Sequence, residues 1–258
     1  MTSADQKQVA LVTGGGSGIG EATARLLAAR GATVVICGRR AEPLEGVAAS
    51  IRAGGGKVEA LVLDVSNEEQ ITQGIQGIVA RHGQIDLVVN NAMAYSWGSI
   101  EDTTTEAWRS NFLTTVDGTF WACREAGRHM KARGKGAIVN VSSICGVFGM
   151  PWMAGYSAAK AAVLNFTKAV ASEWGPAGVR CNAVIPGVVD TPATSGMLQD
   201  EKSRRNTEKL IPLRRVASAH EVATLIAFLG SDDASYITGA CIPVDGGRSA
   251  ELYTVLEG

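Results

Sequence analysis

At 258 residues the chain can bury a full core, with a soft expectation of one to two domains at roughly 150 residues each. Lys and Arg number 24 against 25 Asp and Glu, a formal net charge of −1 with no charge block, which argues against a nucleic-acid or membrane partner. Five cysteines stand apart at 37, 123, 145, 181 and 241 with no CxxC pair, and they read as reduced, mostly buried thiols of a cytoplasmic protein.

Met1 to Gln8 is polar, unlike a signal peptide, and no apolar run reaches a membrane span. Val9-Ala10-Leu11-Val12-Thr13 is a short apolar strand. It runs into Gly14-Gly15-Gly16-Ser17-Gly18-Ile19-Gly20, and Glu21 to Arg30 reads as a helix stopped by Gly31. Strand, glycine turn and helix form a dinucleotide-binding context. Glycines let the backbone approach a pyrophosphate, and the helix start offers free N–H groups and a positive dipole end. Gly14, Ser17, Gly18, Ile19 and Gly20 are the candidate contacts. Their Gly-x-x-x-Gly-x-Gly spacing is one residue longer than the common fingerprint, and Glu21 after Gly20 excludes a P-loop.

Gly31 to Cys37 is a second strand, ending in Gly38-Arg39-Arg40 without an acid. A cofactor lacking the 2′-phosphate is usually held there by a carboxylate, whereas an arginine suits the phosphate. Arg39 therefore favours NADP(H) over NAD(H); the competing reading is that both arginines are merely solvated. Glu42 to Ala53 is a helix, and Lys57 to Leu63 a third strand closed by Asp64-Val65. Asp64 can meet an adenine amino group or help start the next helix, where Ser66 and Asn67 also offer caps. Ile71 to His82 is that helix, and Ile85 to Val89 is a fourth strand ending in Asn90-Asn91-Ala92-Met93. The repeated strand–helix rhythm predicts an α/β fold, a doubly wound parallel sheet with helices on both faces.

Thr103 to Arg133 is too long for one ordinary globular helix, so two are expected. A buried strand, Ala137 to Val141, ends in Ser142 and Ser143, and a small-residue and apolar loop leads to Tyr156-Ser157-Ala158-Ala159-Lys160. Tyr156 and Lys160 share one helix face at i,i+4. A phenol beside an ammonium can transfer protons, because the positive charge favours phenolate. A serine hydroxyl facing the phenol can hold a carbonyl or alcohol oxygen. That helix continues to Trp174. Val179 to Ile185 is a sixth strand, broken by Pro186-Gly187. Residues 190–215 read as a partly helical flap. His220 to Leu229 is a helix capped by Ser218, Ala240 to Val244 a last strand, and 249–258 a tail.

The ordered set Thr13 to Gly20, Asn90-Asn91-Ala92, Ser143, Tyr156-x-x-x-Lys160, Pro186-Gly187 and Val244-Asp245-Gly246-Gly247 resembles the short-chain dehydrogenase/reductase family over essentially the full length. The resemblance implies a single Rossmann-type domain over 1–258 and a hydride-transferring enzyme. It implies that Tyr156 is the general acid/base, that Lys160 lowers the Tyr156 pKa and bonds the nicotinamide ribose, and that Ser143 orients the substrate oxygen. Asn111 would sit at a helix distortion and hold a water in a proton relay. Asp64 and Val65 would flank the adenine, Asn91 the adenosine ribose, and Val189 and Thr191 the carboxamide. It implies no metal, and a homotetramer or homodimer formed through the long helices. Met93 departs from the family's usual glycine.

Met93, Trp97, Cys145, Phe148, Trp152 and Met197 are candidate substrate contacts, and their apolar character suggests a ketone or secondary alcohol with an apolar, perhaps cyclic, body. Two other readings stand beside this one: an NAD(H)-dependent alcohol dehydrogenase of the same family, and a non-catalytic dinucleotide-binding regulator.

Overall fold

The central apolar runs become strands because each is covered on both faces. In the computed structural model, which describes residues 8–250, the chain lays down β1 (Val9–Thr13), α1 (Gly18–Ala29), β2 (Thr33–Gly38), α2 (Ala41–Ala53), β3 (Lys57–Val62), α3 (Glu68–His82) and β4 (Leu87–Asn90). Then follow α4 (Thr105–Phe112), α5 (Gly118–Arg133), β5 (Gly136–Val141), α6 (Ala154–Trp174) and β6 (Val179–Pro186). The remainder is β7 (Val189–Asp190), α7 (Ser195–Leu198), α8 (Glu201–Lys209), β8 (Ala217–Ser218), α9 (Ala219–Leu229) and β9 (Cys241–Val244).

Seven strands form one parallel sheet in the order β3-β2-β1-β4-β5-β6-β9. The period of two along each strand divides the core. Ala10, Val12, Val34 and Ile36 pack beneath α1, α2 and α9, whereas Val9, Leu11, Val35 and Cys37 pack beneath α3, α5 and α6. β1 sits between β2 and β4, so the chain leaves it towards opposite sides. A crevice opens at the strands' C-terminal ends at that switch point.

The segment from Thr103 to Arg133 holds the two expected helices, and they are joined without a break. α4 passes into α5 through a single π-helical turn, Leu113–Asp117, and the backbone stays right-handed throughout. Thr119 Oγ donates to Thr115 O at 2.7 Å across this turn, and Gly118 lies flush against the Val65 backbone. Asn111 thus sits one residue before a helix distortion's N-cap, as the resemblance implied. Between the two caps offered for α3, Asn67 is the one used: its Oδ1 accepts from Gln70 N at 3.1 Å, while Asp64 accepts from the Ser66 amide and hydroxyl. Ser218 and Glu221 form a capping box on α9.

The flap expected over 190–215 is partly helical, through α7 and α8. Its two ends are joined by β7 and β8, paired Val189 to Ala217 and Asp190 to Ser218. Of the expected tail, Ser249 donates its N–H to the Asp245 carboxylate at 2.8 Å; 251–258 lie outside the described residues.

Gly127 on α5 faces the Trp174 indole so closely that a Cβ would drive into the ring. Gly127→Ala is expected to cost about 1–3 kcal/mol by overpacking. Thermal melts should fall by roughly 2–4 °C per kcal/mol for a chain of this size, and an unchanged Tm would show that the two helices can separate freely.

Candidate active site

The glycine turn after β1 is built so that backbone can meet a ligand. Gly14 and Gly18 have φ of 66° and 57°, a region that side chains disfavour. A Cβ on Gly14 would stand 2.8 Å from Asn91 Nδ2, and one on Gly20 would collide with Gly14 O. Asn91 bolts the end of β4 to this turn, its Nδ2 donating to Thr13 O at 2.9 Å and Gly14 O at 3.2 Å. Thr13 Oγ accepts from the amides of Asn91 and Ala92, both at 3.0 Å. Ser17 is the N-cap of α1 but its side chain makes no capping bond. The first-turn N–H groups and the positive end of the helix are therefore available to an anion such as a pyrophosphate.

On the other side of the crevice, β5 delivers Ser142 and Ser143. Ser142 Oγ donates to Lys160 O at 2.8 Å, and Lys160 Nζ donates to Val141 O at 2.7 Å. These two bonds lock the strand end to α6. Ser142 is turned into this structural role, while Ser143 hydrogen-bonds the Tyr156 phenol and its Oγ also accepts from Cys145 N at 3.1 Å. Lys160 is 2% exposed, with Nζ 5.6 Å from the Tyr156 ring centroid.

Burial dominates the charge state of both groups. It pushes the Tyr156 phenol up to about 12, against the Ser143 hydrogen bond that pulls it down. It brings the Lys160 ammonium down to about 8. The expectation that Lys160 lowers the phenol is thus not met by the protein's own groups: desolvation dominates, and the ammonium donates to Val141 O.

One cavity of about 270 Å³ gathers Gly14, Ser17, Gly18, Ile19 and Asn91 on one wall and Ser143, Tyr156 and Lys160 on another; Val189 and Thr191 close its side. A second, of about 210 Å³, adjoins it and shares Gly14, Ser17, Ala92 and Met93. Arg39, Asp64 and Val65 line this second space. Arg39 is exposed there and has no ion-pair partner among the described residues. Together the two cavities form an elongated cleft across the switch point, suited to a dinucleotide with its reactive end beside Tyr156. Gly20 lies beneath the turn and lines neither.

A family model described as enoyl-(acyl carrier protein) reductase matches residues 14–249. The chain is 42% identical over 251 residues to the cis-4-hydroxycyclohexanecarboxylate dehydrogenase of Sinomonas cyclohexanicum, covering 97% of this chain and 100% of that protein. It is similar to a short-chain type dehydrogenase/reductase from Mycobacterium ulcerans, with a TM-score of 0.92, 34% identity, and 95% and 90% of the two chains covered. It is also similar to a gluconate 5-dehydrogenase from Burkholderia cenocepacia J2315 in complex with NADP and tartrate, with a TM-score of 0.90, 31% identity, and 95% and 96% covered.

The chain belongs to the short-chain dehydrogenase/reductase family. It is an oxidoreductase acting on alcohol and ketone groups. In this short-chain dehydrogenase/reductase Asn111 is 1% exposed and lies behind the cavity, not in its wall. Its carboxamide packs against Gly155, the residue before Tyr156. Of the candidate substrate contacts only Met93 lines the cleft, at the waist shared by its two halves. Trp97 and Trp152, 63% and 57% exposed, meet each other with ring centroids 6.2 Å apart. Phe148 and Met197 are exposed as well, and Cys145 is partly buried beside Ser143. Sequence reasoning missed Thr194, whose hydroxyl donates to Val189 O at 2.5 Å and which lines the cavity with Pro192 and Ala193. No spacing rule signals it, because a loop's own turn brings it there.

The Lys160 shift has a definite sign in stability. Between about 8 and 10.5 the unfolded chain holds a proton that the folded chain has lost, so stability rises with pH across that window. Relative to Lys160→Met, the wild type should gain up to about 3 kcal/mol on going from pH 7.5 to 10.5, because Tyr156 is common to both and cancels. Urea denaturation at both pH values measures this; parallel curves would mean that Lys160 is not held in a desolvated site.

Proposed function

We propose that this enzyme transfers a hydride between NADP(H) and a ketone or secondary alcohol with an apolar, ring-shaped body, using Asn111, Ser143, Tyr156 and Lys160. The observation that carries this reading is the single cavity walled by the glycine turn on one side and by Ser143, Tyr156 and Lys160 on the other. Cofactor and substrate can meet only at the phenol there. The open N–H groups of α1 fit a pyrophosphate, and the glycines leave the room that a side chain would fill.

In reduction the Tyr156 phenol gives its proton to the substrate oxygen, while the Ser143 hydroxyl holds that oxygen by a hydrogen bond. In oxidation the phenolate takes the proton back. Burial keeps Tyr156 protonated at neutral pH, so the site by itself is set to donate. When bound, the nicotinamide ring supplies or accepts the hydride. Lys160 is mostly an ammonium at pH 7 and has donors beyond the one spent on Val141 O; these would hold the cofactor's ribose and join Tyr156 to the relay proposed for Asn111.

Arg39 supports NADP(H), since its free guanidinium stands in the second cavity beside Asp64 and Val65. The substrate reading rests on Met93 in the cleft wall and on the exposed Trp97, Phe148, Trp152 and Met197, and the relative named for a hydroxycyclohexanecarboxylate supports a cyclic body. The full-length kinship with dehydrogenases sets the non-catalytic regulator aside. A cytoplasmic location is part of this reading; among the described residues no helix is long and apolar enough to cross a membrane, and all five cysteines are free. Trp108, Leu113 and Phe120 are exposed along α4, the π turn and α5, which supports assembly into a homotetramer or homodimer through that face.

Tyr156→Phe should lower kcat for cyclohexanol and cyclohexanone by about 10²–10⁴ and leave dinucleotide affinity within about twofold. A variant that keeps wild-type turnover would remove Tyr156 from the chemistry. Titration calorimetry should find NADPH bound at least about tenfold tighter than NADH, ~1.4 kcal/mol. Arg39→Ala should erase that gap. Equal binding of the two by the wild type would instead favour the NAD(H)-dependent alternative and a screen of secondary alcohols with NAD⁺.

A further inference from the structure

We infer that Ser96 is a positioning residue for Asn111. The Asn111 carboxamide nitrogen donates to Ala107 O at 2.7 Å and to Ser96 Oγ at 2.8 Å. A carbonyl can only accept, so Ala107 dictates which end of the carboxamide faces the helix. Ser96 takes the second N–H and removes the remaining freedom of the group. Both donors are then spent, and Asn111 Oδ1 is buried with no partner among the described residues. A polar side chain 1% exposed, with both its donors committed, is held in one orientation and needs an explanation beyond packing.

Ser96 owes its place to a strap of chain between β4 and α4. Along it Met93, Tyr95 and Trp97 are exposed, while Ala94, Ser96 and Gly98 are partly buried. The strap is pinned on both sides of Ser96. Ala94 N donates to Thr115 Oγ at 3.4 Å in the π turn, and Gly98 N donates to Trp152 O at 2.9 Å. Trp152 holds a left-handed backbone, φ 60°, which a bulky side chain adopts only when its surroundings impose it. Ser96 is thus delivered to Asn111 by a segment tied at one end to the helix distortion and at the other to the loop that enters α6 four residues before Tyr156. Its hydroxyl fixes the Asn111 carboxamide beside the helix distortion, and the neighbouring Trp97 lies against Trp152 on the exposed side of the same strap.

This assignment rests on the relay role proposed for Asn111. Steady-state oxidation of cyclohexanol with NADP⁺ across pH would compare the wild type, Ser96→Ala and Ser96→Thr. Ser96→Ala should lose between about tenfold and a hundredfold in kcat, with KM within about twofold and a shifted pH dependence of kcat. Ser96→Thr, which keeps the hydroxyl, should restore most of the loss, and all three should melt within a few degrees. The side-chain amide signal of Asn111 in ¹⁵N spectra should be dispersed and slow to exchange in the wild type and in Ser96→Thr, and averaged in Ser96→Ala. Wild-type kcat and pH dependence in Ser96→Ala would overturn the proposal, as would equal losses in both variants or an unchanged amide signal. A wild type that oxidises no alcohol would sink the reaction proposed above, and the amide signal alone would then decide the role of Ser96.

Discussion

Two hydrogen bonds between β5 and α6 hold the reactive end of the molecule together. Ser142 Oγ reaches Lys160 O, and Lys160 Nζ reaches Val141 O, so strand and helix each satisfy a group of the other. The ammonium is almost wholly removed from water, and without the Val141 carbonyl its burial would be far more costly. Gly146 lies so close to the Lys160 backbone that a Cβ would sit 2.7 Å from its carbonyl carbon. The loop from Ser143 is therefore pressed onto the helix that carries Tyr156. Ser143, Tyr156 and Lys160 come from two elements, but they behave as one rigid group.

The facing wall is fixed by different means. Parallel strands on both sides of β1 send their connections apart, and the gap at their C-terminal ends is a consequence of topology. Asn91 and Thr13 then pin the glycine turn to the end of β4. The turn needs left-handed glycines because backbone must occupy space that a side chain would fill. Met93 leaves this wall at the waist of the cleft, where it borders both halves. A thioether there makes the passage narrower and more apolar than a residue without a side chain would.

Farther from the chemistry, order is kept by loop-to-loop contacts. The flap is closed by the short β7–β8 ribbon, and its exit is held by Leu213 N donating to Gly246 O. The two tryptophans meet above the strap between β4 and α4. These contacts join segments distant in sequence, and Val189 of the ribbon also packs into the core on one face of the sheet.

Much of this could be read from the sequence. The central strands announced themselves because both faces are buried, and buried parallel strands are largely apolar. The glycine turn, Ser143 and the Tyr156–Lys160 pair were legible because their chemistry requires fixed residue types at fixed spacing. Asp64, Val65, Asn91, Val189 and Thr191 follow from the resemblance, and all five line the cleft. What the sequence could not give was the sign of the Tyr156 shift, since local pairing suggests a lowered pKa and only three-dimensional burial raises it. Nor could it join Thr103 to Arg133 into a continuous helix through a π turn, a matter settled by Gly118 against Val65 and by the Thr119–Thr115 bond. Ser96, Thr194 and the Trp97–Trp152 contact belong to the tertiary structure for the same reason. They are made by chain segments meeting across loops, where no periodicity connects the partners. Sequence determined the elements and the reacting groups; packing determined their charge state and what stands behind them.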